Sequence, residues 1–340
     1  MAWTDKCNFQ FPENWEEWEK TIDRPIINPL GLPEFLDITT TAFGPTRGIE
    51  ILPKWKMPES IVISVAVVGA FFGKRQNPNI PLTVEQICAS AEECIHAGAS
   101  SIHIHVRDDE GRPTSDVTKY HAVLDPLRKK YPNVVLDGCC TRGKTFQEVL
   151  KPVEDGLLEI TPVNTTGGHS GDLMRIFPPS FLMAETEYIQ QQKCKPQIAV
   201  YTPGDIDNAD RYLIKTGILE KPYYWIVLAG MPGWMPMSNP QAMMTNLISY
   251  FERIKEIDPD SIIMVGCCGR ASFYLVTAAL LLGAHAIRVG MEDTIYRYPH
   301  RDDRIKSNAE EFKRSKQLVE LLGRRCATAD DYRKLVGIKK

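Results

Sequence analysis

The sequence predicts an α/β protein whose main domain is a (β/α)₈ TIM barrel with an N-terminal extension. From Ile61 onward, eight short apolar runs alternate with segments of helical periodicity. This alternation is typical of a parallel sheet covered by helices. The eight units fill about 265 residues, close to the usual size of such a barrel. No GxGxxG follows the first run, so a doubly wound open sheet is the second choice.

The eight predicted strands are short, almost entirely apolar and rich in β-branched residues, as expected of strands buried on both faces. The first, SIVISVAVVGAFF, is the clearest example. The strands cover residues 60–72, 100–108, 133–140, 157–163, 197–201, 223–230, 261–268 and 284–290.

One predicted helix follows each strand, and the first has a clear beginning. Thr83 with Gln86 three residues later forms a capping box, so a helix begins there and ends near Gly98. The other helices are predicted at residues 116–130, in a short stretch before Leu157, and at residues 178–192, 207–215, 239–256, 271–282 and 307–322.

The first 58 residues differ from the remainder of the chain. They contain four of the six tryptophans (Trp3, Trp15, Trp18 and Trp55) and many prolines, with poor periodicity. Aromatic residues are depleted in disordered segments, so this stretch is predicted to wrap a domain or a neighbouring subunit. The predicted division is an arm at residues 1–58 and a catalytic barrel at residues 59–340.

Composition excludes several classes of protein. The net charge of −3 gives no basic excess for nucleic acid, and the apolar runs are too short to span a membrane. The N-terminus lacks the charged and apolar regions of a signal peptide. Nine cysteines without a CxxC motif indicate reduced thiols, so a cytoplasmic enzyme is expected.

Two histidines, His103 and His105, carry the sharpest chemical signal. On a strand, residues i and i+2 point to the same face, so both imidazoles project together. They lie at the C-terminal end of the second strand, where barrel enzymes keep their active sites. Two neighbouring imidazoles on a rigid strand make half of a metal site. The alternative is a pair of core histidines, but both would have to stay neutral and hydrogen-bonded.

A second group, RVGMED, follows the eighth strand. The eighth strand of a barrel neighbours the first, so Glu292 could complete a His₂Glu set with the two histidines. Three protein ligands and one open position are typical of a catalytic zinc site. Asp293 would then lie beside the metal as a candidate base, and Arg288 could orient Asp293 or bind a substrate carboxylate. Alone, the acidic pair would be interpreted as a solvated loop.

Other motifs are weaker. Cys139-Cys140 and Cys267-Cys268 end the third and seventh strands, but adjacent strand residues point to opposite faces, so buried structural cysteines are favoured over a thiolate metal site. The glycine-rich loop at residues 167–172 lacks the lysine of a phosphate-binding P-loop.

HIHVRD followed much later by RVGMED resembles the β-keto acid cleavage enzyme family, typified by 3-keto-5-aminohexanoate cleavage enzymes. The resemblance runs from about Ile61 to Leu335, with the motifs in the same order. The other similar segments are residues 69–70 (GA), 80–83 (IPLT), 111–113 (GRP), 230–235 (GMPGWM), 266–270 (GCCGR) and 307–309 (SNA).

The resemblance implies a zinc-dependent TIM barrel, with His103, His105 and Glu292 as metal ligands. It implies that a β-keto acid condenses with acetyl-CoA to give acetoacetate and a new CoA thioester. Asp293 would be the base, supported by Arg288. Another divalent metal is possible, since the ligand set is not specific to zinc. The resemblance also implies a homo-oligomer that binds small molecules rather than nucleic acid or membranes.

Three segments depart from the family pattern. Phe71 replaces an acidic or polar residue, which argues against a cationic substrate tail. Cys140-Thr141-Arg142 replaces STG, so Cys140 takes the position of a catalytic serine. Residues 196–199 (PQIA) replace a PExE pattern. Thr141, Arg142, Thr166 and Phe71 are the candidate substrate contacts, and Arg142 could bind a second carboxylate or a CoA phosphate.

Two alternatives stay open at this point. A hydrolase or C–C lyase could use the same metal without CoA, with a water in the open metal position. A non-catalytic barrel could use the metal only for stability, although such a site has no need of Asp293 and Arg288.

Overall fold

A computed structural model describes residues 54–140, 145–170, 173–230, 239–267 and 269–338. The compact unit that contains the predicted barrel begins at Pro58. Residues 1–53 of the predicted arm lie outside the described part of the chain, so the arm stays a prediction.

Eight parallel strands close into a barrel, as predicted. Each strand pairs with its neighbour in sequence, and the eighth pairs with the first, for example Ser64 opposite Arg288. The strands are β1 Ser60–Val68, β2 Ser101–Ile104, β3 Val135–Gly138, β4 Ile160–Asn164, β5 Lys195–Val200, β6 Tyr224–Ala229, β7 Ile262–Cys267 and β8 Ala286–Val289.

A helix follows every strand and covers the outside of the barrel. The first begins where predicted, because Thr83 Oγ1 accepts a hydrogen bond from the Gln86 backbone N–H at 3.3 Å. The helices are α1 Val84–His96, α2 Val117–Lys130, α3 Phe146–Glu154, α4 Pro179–Gln191, α5 Pro203–Ala209, α6 Pro240–Ile257, α7 Ser272–Leu281, α8 Asn308–Leu321 and α9 Ala329–Val336.

The fifth helix differs from its prediction at residues 207–215. It begins four residues earlier, at Pro203, because the Asp205 carboxylate accepts the Thr202 backbone N–H at 2.7 Å and so caps the first turn. A π-helical segment, Asp210–Ile214, follows without a break. The predicted helix therefore covers the end of α5 and this segment.

Two apolar layers hold the barrel together. Alternate strand residues point outward and pack against the helices, as Ile61, Ile63 and Val65 of β1 do. The others point inward and form a second cluster, which includes Val62 and Tyr224. The interior is therefore a packed core rather than a pore.

Helix α9 closes the N-terminal end of the barrel. Its residues Tyr332 and Val336 join the interior cluster, and the Tyr332 hydroxyl lies 2.7 Å from the Tyr224 hydroxyl. Arg333 donates two hydrogen bonds to Glu159, which precedes β4, and a third to the Val134 carbonyl before β3. The opposite end, at the carboxyl termini of the strands, is left for the functional site.

None of the helices in the described part of the chain combines the length and the apolar character needed to cross a membrane.

Candidate active site

The two predicted histidines lie together at the carboxyl end of β2. His103 is the third residue of that strand and His105 follows its end, so both side chains take the inward face. Their ring centroids are 5.3 Å apart, and both rings are buried. The structure thus brings together the pair that the alternation of the strand predicts.

Glu292 joins the histidines from the loop after β8. Its backbone N–H donates to the Ala66 carbonyl of β1 at 3.1 Å, which anchors the loop across the barrel seam. Glu292 Oε1 lies 3.3 Å from His105 Nε2, and Oε2 lies 3.3 Å from His103 Nε2. Closure of the barrel therefore brings residues almost 190 positions apart in sequence into one buried group, and the active sites of such barrels are typically built from the ends of several different strands.

Gly290 makes the turn that carries Glu292. Its φ of +130° is a conformation that residues with a side chain rarely adopt. A β-carbon at this position would lie 2.3 Å from the Ala66 carbonyl oxygen. Only glycine allows the loop to pass this close to β1.

The three side chains fit a divalent metal ion. His103, His105 and Glu292 each offer one ligand atom, and these atoms lie within 4.8 Å of one another. His103 Nε2 and Glu292 Oε2 are buried and have no hydrogen-bond partner in the described part of the chain. Buried polar atoms without partners are costly, and coordination of a cation would satisfy both. The donor set of two imidazoles and a carboxylate is typical of catalytic zinc sites.

Asp137 holds His103 in the orientation that a metal ligand needs. Its Oδ1 is hydrogen-bonded to His103 Nδ1, so the proton stays on Nδ1 and the Nε2 lone pair faces Glu292 and His105. Two inward hydroxyls, on Ser64 and Ser101, donate to Asp137 Oδ2 at 3.4 and 3.2 Å. This support was missed in the sequence, although Asp137 is the lone acidic residue in the apolar run of residues 133–140.

Burial and the neighbouring charges shift the pKa values of the three proposed ligands in opposite directions. Burial raises the pKa of Glu292, but Arg288 and the two imidazoles outweigh it, so its pKa lies below the ordinary value and the carboxylate stays ionised. Burial lowers the pKa of His105. Burial also acts to lower the pKa of His103, but Glu292 and Asp137 raise it above the ordinary value. A cation would therefore compete with a proton on His103.

Arg288 and Asp293 form a buried ion pair beside the ligands. Arg288 Nε lies 3.0 Å from Asp293 Oδ2, and its Nη2 binds Asp293 Oδ1, so the contact is bidentate. Arg288 Nη2 also lies 3.1 Å from Glu292 Oε1. Burial raises the pKa of Asp293 to about 6, although Arg288 opposes this. The predicted base and its predicted partner are in contact with each other and next to Glu292.

Cys140 is not brought together with these residues. Cys140 follows the end of β3 by two residues and is buried in the outer apolar layer. Burial raises the pKa of its thiol well above the usual range, and the titratable side chains that act on it are Cys139, Cys194 and Glu185 rather than the ligands. The structure thus separates Cys140 from the catalytic position predicted for it.

Two of the predicted substrate contacts, Phe71 and Thr166, lie on loops at the same end of the barrel. Phe71 follows β1 with 41% of its surface exposed. Thr166 follows β4, and its hydroxyl accepts a hydrogen bond from Asn208 Nδ2 at 3.1 Å. Thr141 and Arg142 lie outside the described residues, so their placement stays a prediction.

Asn308 is a further residue that sequence reasoning missed. Its Oδ1 accepts the Met291 backbone N–H at 2.8 Å, and its Nδ2 donates to the Val67 carbonyl and to Ser90 Oγ, both at 2.9 Å. One buried amide thereby ties the loop that carries Glu292 to β1 and to α1. The SNA segment at residues 307–309 is part of the family resemblance, but the resemblance does not indicate what Asn308 contacts.

Fold and site together define a barrel enzyme with a candidate metal centre at the carboxyl end of its strands. The sequence model of the beta-keto acid cleavage enzyme family matches residues 60–338. The chain belongs to that family, and it is therefore an enzyme that cleaves carbon–carbon bonds.

Individual relatives agree with this assignment. A 3-keto-5-aminohexanoate cleavage enzyme of Fusobacterium nucleatum subsp. nucleatum is 32% identical over 286 residues, which covers 84% of this chain and 100% of the relative. A 3-oxoadipate:acetyl-CoA acetyltransferase of Cupriavidus necator is 26% identical, covering 83% of this chain and 96% of the relative. The solved apo structure of ObcA has a TM-score of 0.65 at 19% identity, over 77% of this chain and 66% of ObcA, and confirms the fold.

Proposed function

We propose that this enzyme exchanges acyl groups between a β-keto acid and acetyl-CoA. The products are acetoacetate, which receives the –CH₂–COO⁻ portion of the keto acid, and a CoA thioester of the remaining acyl group. The observation that carries the proposal is the buried group of His103, His105 and Glu292 beside the Arg288–Asp293 pair. The names of the relatives support the choice of acetyl-CoA as co-substrate.

His103, His105 and Glu292 would hold the metal, with zinc the ion that this donor set favours. When bound, the metal supplies a Lewis acid that stabilises negative charge on a keto or carboxylate oxygen. Glu292 is ionised and Asp137 fixes the Nδ1 proton of His103, so two of the ligands are prepared for a cation before it arrives.

Asp293 would take the proton from the carbon between the keto and carboxylate groups. Burial raises the pKa of Asp293 above its ordinary value, which makes it a stronger base than an exposed carboxylate. Arg288 fixes the direction of the Asp293 carboxylate through its bidentate contact and would stabilise the charge that develops next to it. Because both side chains are buried, bulk water is kept from the proton in transit.

The remaining predicted contacts enter the proposal with smaller roles. Phe71 offers an apolar surface on the loop that follows β1, which suits a substrate without a cationic tail. Thr166 and Thr141 would donate hydrogen bonds to substrate oxygens, and Arg142 would bind a second carboxylate or a CoA phosphate. Cys140 takes no step here because its thiol faces the outer layer.

The test combines metal analysis with an activity screen. Purified wild type and His103→Ala are assayed against a panel of β-keto acids, with and without acetyl-CoA. We expect about one metal per chain in wild type, strong loss of metal in the variant, and acetoacetate only when acetyl-CoA is present. His121→Ala, which removes an exposed histidine paired with Asp125, is the control and should keep both metal and activity.

Turnover without CoA would contradict the acyl exchange and favour a hydrolase or C–C lyase that uses the same site. Equal metal content in wild type and His103→Ala would contradict the ligand assignment.

A further inference from the structure

A second cavity opens at the carboxyl end of the barrel, next to the candidate active site. It has a volume of about 540 Å³ and lies between the first turns of α6 and α7 and the loop that follows β8. Its walls are formed mainly by Asn239, Met243, Arg270, Tyr274, Pro299 and His300. The reaction as proposed leaves this cavity without a role.

The cavity is directly connected to the site through Gly269. This residue lines the cavity, and its backbone N–H donates to the Asp293 carbonyl at 2.6 Å. Asp293 in turn binds Arg288, whose side chain reaches Glu292. A ligand in the cavity therefore lies one hydrogen bond away from the backbone of the proposed base.

The lining suits a ligand with a flat ring and an apolar chain. The Tyr274 and His300 rings lie 6.1 Å apart, and the Tyr274 hydroxyl is 3.4 Å from His300 Nδ1. Tyr274 keeps 38% of its surface exposed although it is a large aromatic residue. Met243 and Pro299 add apolar surface. Such surfaces bind heteroaromatic rings by stacking and alkyl chains by burial.

Arg270 brings a guanidinium group to the wall of the cavity. Its guanidinium stacks over the Tyr296 ring at 3.6 Å and is held by the Arg301 carbonyl and by Asp302, at 2.8 and 2.7 Å. These contacts fix the group in place, and 41% of its side chain stays exposed. A rigid guanidinium at the wall of an otherwise apolar cavity is suited to a phosphate group. The first turns of α6 and α7 lie at the same wall and favour the same sign of ligand charge.

We propose that this cavity holds the non-reacting part of acetyl-CoA, with the adenine nucleotide against Tyr274 and His300 and a phosphate at Arg270. The inference rests on the acyl exchange proposed above. The pantetheine arm would then pass Gly269 and deliver the thioester to Asp293.

A larger cavity of about 770 Å³ is less suited to this role. It lies on the outer side of the barrel between α1 and α8, and none of the candidate metal ligands or catalytic residues lines it. Glu93 and Glu310 in its walls would repel phosphates.

The test compares two acetyl thioesters that differ only in the group attached to the sulfur atom. Acetyl-CoA and acetyl-N-acetylcysteamine carry the same acetyl group, but the second lacks the nucleotide. In Arg270→Gln and His300→Ala, we expect KM for acetyl-CoA to rise about tenfold or more, the loss of a contact worth roughly 1.4 kcal/mol. KM for the keto acid, kcat/KM for the truncated thioester and metal content should stay within twofold of wild type. Lys313→Ala, in the larger cavity, is the matched control and should behave as wild type.

A direct binding measurement separates this inference from the proposed reaction. Calorimetric titration of CoA into wild type and Arg270→Gln reports occupancy of the cavity whether or not the enzyme turns over. If wild type makes no acetoacetate yet binds CoA more tightly than Arg270→Gln does, the reaction fails and the cavity assignment survives. Unchanged CoA affinity in both cavity variants would overturn the assignment. An equal loss of kcat/KM with both thioesters would do the same, as would a rise in KM for acetyl-CoA that is confined to Lys313→Ala.

Discussion

Gly69 packs directly against Glu292, with no room for a side chain between them. A β-carbon at residue 69 would lie 2.2 Å from Glu292 Cγ and 2.9 Å from Glu292 Cβ. The first residue after β1 thus sets the position of a ligand that comes from the loop after β8. The absence of a side chain at one residue is what allows the carboxylate to face both histidines.

Replacing Gly69 with alanine should therefore displace Glu292. The backbone of Gly69 lies outside the left-handed region, so alanine is compatible with its conformation and the fold should survive. We expect metal affinity to fall at least about tenfold, measured by competition with a chelator, with a small change in Tm. Gly73→Ala is the control, because its β-carbon would meet only Gln76 Oε1 at 3.6 Å. Equal metal affinity in Gly69→Ala and wild type would show that Glu292 is not a ligand.

Asp137→Asn should weaken metal binding without removing a ligand. The amide no longer supplies the negative charge that makes His103 a stronger donor, and its NH₂ group faces the hydroxyls of Ser64 and Ser101. Loss of such an outer partner typically lowers metal affinity ten- to hundredfold. Asp125→Asn removes a similar carboxylate–imidazole contact, 2.9 Å from His121 Nδ1 on the surface, and should leave metal affinity unchanged. The interpretation of Asp137 is refuted if both variants bind metal equally well.

Asn308→Ala should affect both stability and metal binding. It removes three buried hydrogen bonds, to Met291, Val67 and Ser90, and leaves their partners unsatisfied. We expect the free energy of unfolding to fall by roughly 2–4 kcal/mol in denaturant titrations, with weaker metal binding because the Glu292 loop loses its anchor. Asn246→Ala removes a part-buried amide of α6 that donates to the Ala242 carbonyl, away from the Glu292 loop, and should leave metal binding intact. A stability loss without any change in metal affinity would restrict Asn308 to a role in the fold.

Glu185 should make the protein less stable as the pH rises. Burial in α4 raises its pKa from 4.5 to about 8, and its Oε2 has no hydrogen-bond partner in the described part of the chain. The folded protein keeps this proton up to about pH 8, whereas the unfolded chain loses it near pH 4.5. Stability therefore falls across that window, by up to about 1.4 kcal/mol for each pH unit.

Glu185→Gln should flatten this dependence, because the amide cannot ionise. The measurement is the free energy of unfolding at several pH values between 5 and 8, roughly the window that the two pKa values define. Glu187→Gln, an exposed position on the same helix, serves as the control and should keep the slope of wild type. Parallel stability curves for wild type and Glu185→Gln would show that Glu185 does not hold its proton.

The sequence was sufficient for those parts of the site that depend on local geometry or on a familiar motif. Alternation along β2 placed His103 beside His105, and the order of eight strands placed the loop after β8 near them. The residues that were missed act across the barrel: Asp137 supports a histidine of another strand, and Asn308 joins β1 to the loop after β8. No local pattern encodes such contacts.

Cys140 shows a second limit of strand patterns, and its catalytic role stays a prediction. Its motif position suggested a catalytic residue, but the side on which a side chain emerges at the end of a strand depends on where the strand stops. Strand β3 ends at Gly138, and Cys140 packs with the outer layer.

Because α9 closes the N-terminal end of the barrel, it affects how the protein folds during its synthesis. The first strand of the barrel pairs with β8 and with the short strand Arg325–Cys326, and the last helix supplies Tyr332 and Val336 to the interior. During synthesis, the apolar interior therefore stays open at one end until the residues of α9 have left the ribosome. A nascent chain that stops before Ala329 exposes Val62, Tyr224 and Met264 to water, and with them a surface for aggregation or for a chaperone. The end of the barrel farthest from the chemistry thus determines whether the chemistry can be assembled at all.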